Sequence, residues 1–221
     1  MISGLIRAVT LGLSLLQGAP AYADTDVKLT TLPTKISFFC RGGRAKIYDE
    51  CTDQRQLYED ARAEAASQGK VLLVSYGAEW CIWCHVYYAY LHGEADVFTH
   101  TYSDQQDRVR YEETIYERAE TDVSASARAL KTYAAESFVL VHIDSRYAPF
   151  SDEALQISGA DQYFEGNLPF IFTVSANGKI AGVHDHEQVA TRRDSNDWFR
   201  GYDRDGLLIM LQEMHAAAMA H

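Results

Sequence analysis

The sequence predicts an α/β fold, a central mixed sheet flanked by helices, and two observations carry that expectation. Val71-Leu72-Leu73-Val74, Phe138 to Asp144 and Phe170 to Val174 are near-continuous apolar runs of strand length. That is the pattern of strands buried on both faces. Segments with helical spacing lie between and after these runs, so strands and helices alternate along the chain, as in a sheet sandwiched between helices.

Taken in order, Met1 to Ala23 reads as a secretory signal. Arg7 gives the positive start, Ala8 to Leu16 the apolar stretch, and Ala21-Tyr22-Ala23 the small residues of a cleavage site. A membrane anchor is the competing reading, but spanning takes roughly 20 apolar residues, and Gln17, Gly18 and Pro20 interrupt this stretch. A periplasmic or secreted location is therefore expected, where disulfides persist. Residues 24–52 form an N-terminal extension, beginning with an extended, Thr-rich lead-in from Asp24 to Lys35. Asp53 to Gln68 is expected to be a helix, with Leu57, Ala61 and Ala65 at fourfold spacing and Gly69 as its stop.

Residues 53–221 are expected to form the main domain, interrupted at about 94–136 by a helical insertion. Within it, Asp104 to Ser137 reads as two helices, one carrying Val109, Ile115 and Tyr116, the other capped by Ser124 and carrying Leu130 and Tyr133. The insertion is either a partner-specific surface or a solvated decoration. Asn177-Gly178 is a turn signal that folds Lys179 to Val183 back against Phe170 to Val174 as a hairpin. Asp205 is expected to cap a last helix with Leu207, Leu208, Leu211 and Met214 on one side. The chain carries 31 acidic against 20 basic side chains, a net charge of −11. Charge of that sign repels phosphates and anionic headgroups, so neither nucleic acid nor stable membrane insertion is expected.

Chemistry concentrates in Trp80-Cys81-Ile82-Trp83-Cys84-His85, where a strand runs into a helix. A cysteine at a helix N-terminus meets unsatisfied N–H groups and the positive end of the dipole, which favour thiolate over thiol. A second cysteine one turn later can close a disulfide with it. The pair then works as attacking thiolate (Cys81) and resolving thiol (Cys84).

Leu72 to Cys81, with its Ala78-Glu79-Trp80-Cys81 approach, resembles the thioredoxin superfamily. So does Asn167-Leu168-Pro169-Phe170-Ile171-Phe172 followed by Asn177-Gly178-Lys179. The resemblance covers Val71 to His92, Phe138 to Val183 and the closing helix, and the Trp-Cys-x-Trp-Cys form is closest to bacterial secreted members. It implies a thioredoxin-like fold and a thiol–disulfide oxidoreductase that exchanges disulfides with protein substrates and a redox partner protein, with no cofactor and no metal. It also implies a cis bond before Pro169, with Leu168 and Pro169 docking the substrate chain and Trp80 and Trp83 as an apolar rim. Two departures matter. Ile82-Trp83 replaces the family's usual dipeptide, which leaves oxidant or reductant open. Ser75 stands where the family keeps a buried acid, so proton transfer falls to Glu79, His85, water or no specific group.

Other readings of these residues remain. Cys81 to His85 is also the haem-attachment pattern C-x-x-C-H, with His85 as axial ligand. The Cys81–Cys84 bridge could be permanent, in a non-catalytic binding or chaperone-like module; an exposed Cys81 would speak against that. His184 and His186 lie two apart on a strand end and could bind zinc or copper, though a surface pair is the plainer reading. His142 is expected in the core, and Tyr87, Tyr88 and Tyr90 in helix packing. Cys40 and Cys51 are read as a structural disulfide, on the order of 3 kcal/mol for a loop this size, with a second redox couple as the alternative.

Overall fold

The computed structural model describes residues 27–94, 98–103, 110–115, 124–191 and 201–220. The expected signal segment lies outside the described residues, as do Val109 and Tyr116.

A mixed five-stranded sheet forms the centre. Its strands are β1 (Thr30–Leu32), β2 (Val71–Gly77), β5 (Phe138–Asp144), β6 (Phe170–Val174) and β7 (Ile180–His184), in the order β1-β5-β2-β6-β7. β1 and β2 run parallel to β5, and β6 is antiparallel to both β2 and β7. Every residue of β2, β5 and β6 is buried. Central strands covered on both faces need apolar side chains at nearly all positions, which is why these runs are legible as sequence. The lead-in supplies β1, an edge strand too short and too Thr-rich to stand out.

The helices divide between the two faces. α1 (Gln54–Gln68) and α4 (Ser151–Ser158) cover the face built by Leu72, Val74, Tyr76, Val139, Val141 and Phe172. α2 (Ile82–Leu91), α3 (Ser124–Ser137) and α5 (Arg204–Met219) cover the face of Leu73, Phe138, Leu140 and Ile171. Strand alternation puts Ser75 on the Leu73 side, beneath α2, and pairs it across the ladder with His142. His142 is buried as expected, at 1% exposure.

α1 begins and ends where its caps dictate. Asp53 accepts the N–H of Gln56 at 3.0 Å, and Gly69 takes the left-handed φ of 65° that closes a helix without Cβ strain. The cap of α5 lies two residues before the expected one. Asp203 is the capping residue and accepts the N–H of Asp205, which sits in the first turn instead. Leu207, Leu211 and Met214 are buried there, with Leu208 partly so.

The insertion departs most from the expectation. Among its described residues, the first half forms an antiparallel pair, β3 (Phe98–Ser103) with β4 (Arg110–Ile115), and the second half contributes one helix, α3. Phe98, Thr99, Thr101, Tyr102, Tyr111, Thr114 and Ile115 are β-branched or aromatic residues that favour strands. The stretch lacks Gly and Pro, which argues against a loop but does not choose between helix and strand. A last short pair, β8 (Ala190–Thr191) with β9 (Gly201–Tyr202), precedes α5.

Candidate functional site

β2 ends at Gly77, and four residues later Cys81 is the N-cap of α2, with extended φ and ψ of −81° and 107°. Its Sγ accepts the N–H of Cys84 at 3.3 Å, the contact that an anionic sulfur at this position would strengthen. Cys81 and Cys84 form a disulfide with Cα atoms 5.3 Å apart. Cys84 is wholly buried, and Cys81 keeps only 6% of its surface open. That is less than the exposed position expected of it. The two indoles and the loop before β6 account for the cover: Trp80, Trp83 and Leu168, each half-buried, pack on one cluster with both cysteines. The Leu168–Pro169 bond is cis, and Pro169 is buried. Thus Cys81, Cys84, Trp80, Trp83 and Leu168 all come together, with Pro169 adjacent.

Two neighbours of the pair have shifted protonation. His85 is buried, which holds its pKa down to about 4. Its Nε2 lies 2.7 Å from the backbone oxygen of Glu79 and must be the donor, since a carbonyl only accepts. At neutral pH the ring is therefore neutral, and its approach to the Glu79 carboxylate at 3.6 Å is not an ion pair. Burial raises the pKa of Glu79 itself, countered by hydrogen bonds from the backbone N–H groups of Ile47, Tyr48 and Lys46 and by the Lys46 charge. The two sulfurs are bonded to each other, and His85 Nε2 is engaged by Glu79.

A residue that the sequence did not single out completes the site. Tyr48, from the extension, is fully buried in the cluster of Cys81 and Cys84. Its hydroxyl lies 2.8 Å from Ser75 Oγ, and its ring packs edge-on against His142 at 5.1 Å. Glu79 Oε2 holds this segment in place, accepting the N–H groups of Ile47 at 3.0 Å and Tyr48 at 3.1 Å. The one sequence signal was Ile47-Tyr48, an apolar pair between two cysteines. Cys40 and Cys51 are bonded, with Cα atoms 5.7 Å apart, and close the loop that carries it. Gln54 adds a second tie, donating to the Asp49 and Thr52 carbonyls and accepting the N–H of Asp144.

Gly77 faces this arrangement. A Cβ built there would lie 2.5 Å from Tyr48 Oη and 2.6 Å from Cys84 Sγ. Oxygen and sulfur are thus separated by no more than those two lengths together.

The remaining candidates disperse. β7 ends at His184, which is buried against the Tyr87 and Tyr202 rings, and His186 opens a short 3-10 turn, so the two do not share a strand face. Tyr87 and Tyr90 are core residues, and Tyr88 stacks on His92 at 3.9 Å. Among the described residues the group of metal-ligating type is Cys40, Asp49 and Cys51, two of which are spent in the disulfide. Among them, too, no helix is long and apolar enough to cross a membrane. No protein-family model matches the sequence, and no curated protein matches it either.

Proposed function

We propose that this protein is a thiol–disulfide oxidoreductase of thioredoxin-like fold that acts in the periplasm or outside the cell. The observation that carries the reading is the asymmetry of the Cys81–Cys84 disulfide. One sulfur caps a helix and accepts an N–H, while the other is fully enclosed. A helix-terminal sulfur is the stable thiolate and so the attacking group, and the enclosed Cys84 is out of an outside partner's reach, so exchange with that partner passes through Cys81. In the reducing direction the Cys81 thiolate attacks a protein disulfide. One substrate thiol leaves, and a mixed disulfide remains. Cys84 then attacks Cys81 Sγ, forming the internal bridge and releasing the second thiol. Run backwards, the same steps oxidise a dithiol. Trp80, Trp83 and Leu168 beside the pair, with Pro169, offer an apolar edge for the substrate chain. The sheet order and the position of the pair at the end of the central β2 support the resemblance noted in the sequence.

Alkylation mass spectrometry across a glutathione redox series tests this. A couple at Cys81–Cys84 near or above roughly −180 mV marks an oxidase or isomerase, and one near or below about −270 mV a reductant. The small open surface of Cys81 favours one competitor, a binding module with a permanent bridge. A Cys84→Ser variant separates them, because it accumulates mixed disulfides with substrates if the site is catalytic. No adducts, together with a bridge that resists the whole series, would leave the binding module standing.

A further inference from the structure

Resting on that reading, we infer that Tyr48, held by Ser75, donates a hydrogen bond to the Cys84 thiolate each time the disulfide opens or re-forms. Cys84 must exist as a thiolate in both directions, as nucleophile when it resolves a mixed disulfide and as leaving group when the bridge is attacked. Yet it is wholly enclosed, and burial without a donor disfavours a thiolate. The two acid–base groups nearest in sequence are turned to other partners: Glu79 Oε2 accepts the Ile47 and Tyr48 amides, and His85 Nε2 binds the Glu79 carbonyl.

The Tyr48 hydroxyl is placed for the task. It and Cys84 Sγ converge on the space left open by Gly77. Its hydrogen-bond partner among the described residues is Ser75 Oγ, which Oη can accept from while directing its own proton at the sulfur. Burial also pushes the Tyr48 pKa well above its ordinary value, so the hydroxyl keeps its proton and acts as donor, not base. In resolution the Cys84 S–H bond breaks and its proton leaves with the departing substrate thiolate. The Cys84–Cys81 bond forms, and the Cys81–substrate bond breaks. Tyr48 ends as it began. Ser75 is a positioning residue, acting only through the tyrosine.

The test is stopped-flow reaction of the full chain with a chromogenic aromatic disulfide, dithiobis-nitrobenzoate. The protein is first reduced with limiting dithiothreitol until alkylation finds two thiols. The first released thiolate reports attack by Cys81, the second resolution by Cys84. Tyr48→Phe should leave the first phase and its pH profile unchanged. Its second phase should slow about three- to tenfold at neutral pH, with the midpoint of that phase moved upward by about one pH unit or more. Ser75→Ala, which removes a single oxygen, should shift the same midpoint in the same direction by less, and carries the test if Tyr48→Phe does not fold. A second-phase midpoint equal to wild type in the folded variants overturns the inference while leaving the oxidoreductase reading intact. A wild-type protein that releases no thiolate overturns both.

Discussion

Gly77→Ala is the substitution through which the packing of the site can be weighed. The added methyl would lie 2.5 Å from Tyr48 Oη, 2.6 Å from Cys84 Sγ and 2.9 Å from Tyr48 Cζ. Ordinary contacts to carbon fall near 3.5–4.0 Å, so each neighbour must retreat by about 1 Å. Neither is free to do so. Cys84 Sγ is bonded to Cys81, and Tyr48 is held by Ser75 at its hydroxyl and by Glu79 at its amide. Overpacking of a close-packed interior typically costs 1–3 kcal/mol, and two constrained neighbours place this site at the upper end, about 3 kcal/mol. With a urea dependence of about 2 kcal/mol/M, the unfolding midpoint should fall by about 1.5 M. Because the nearest atom is the tyrosine oxygen, Tyr48→Phe should relieve part of the clash. A double-mutant cycle between the two positions should give a coupling of about 1 kcal/mol or more. A Gly77→Ala protein within 0.5 kcal/mol of wild type, or strictly additive effects, would refute the geometry on which both the site and the inference stand.

Three further outcomes follow from the same structure. Burial holds the pKa of His142 down to about 3, below the unfolded value near 6.5, so its contribution is complete above pH 6.5 and is lost as pH falls. Between pH 7 and 5 that loss is about 2 kcal/mol, and a His142→Phe protein measured by denaturant titration should lack that part of the acid sensitivity; an identical pH slope would contradict it. Asp144 Oδ1 accepts the amides of Arg146, Tyr147 and Ala148 at 3.0, 2.6 and 2.9 Å, so Asp144→Ala should cost about 3 kcal/mol and lower Tm by roughly 10 °C. Asp144→Asn should cost less, since it keeps an acceptor, and equal losses would argue against the hydrogen bonds. Replacing Cys40 and Cys51 by Ala should cost on the order of 3 kcal/mol against oxidised wild type, and a midpoint that does not move would show that the bridge constrains little.

The parts of the fold that were legible are those where one physical requirement dominates. Val71 to Val74, Phe138 to Asp144 and Phe170 to Val174 are almost wholly apolar because helices cover both faces of the sheet, and Asp53 and Gly69 mark α1 because its end groups need partners. β3 and β4 are not legible, because strand-favouring Thr and Tyr residues stand in a stretch without the Gly and Pro punctuation that marks strand ends. Asp203 and Asp205 both fit a cap, and side-chain type alone does not choose between them. The cysteine pair is visible through its local pattern, and its indoles and Leu168 through the resemblance that the flanking residues carry. Tyr48 was not, because its role depends on a contact with Ser75 across 27 positions of sequence, and nothing in Ala45-Lys46-Ile47-Tyr48 announces that the chain there turns inward.

The route of the first residues has a practical consequence. The strand β1 and Tyr48 both come from the segment ahead of α1, and that segment is fastened at Glu79 and Gln54. A fragment trimmed to begin at α1 would carry both reactive cysteines and every α-helix of the described residues. It would also lack a sheet edge, leave Ser75 facing a hole the size of a phenol ring, and expose the inner wall of the Cys81–Cys84 pair. Affinity or trapping studies made on such a fragment would report on an altered centre, so any shortened version should begin ahead of Lys28.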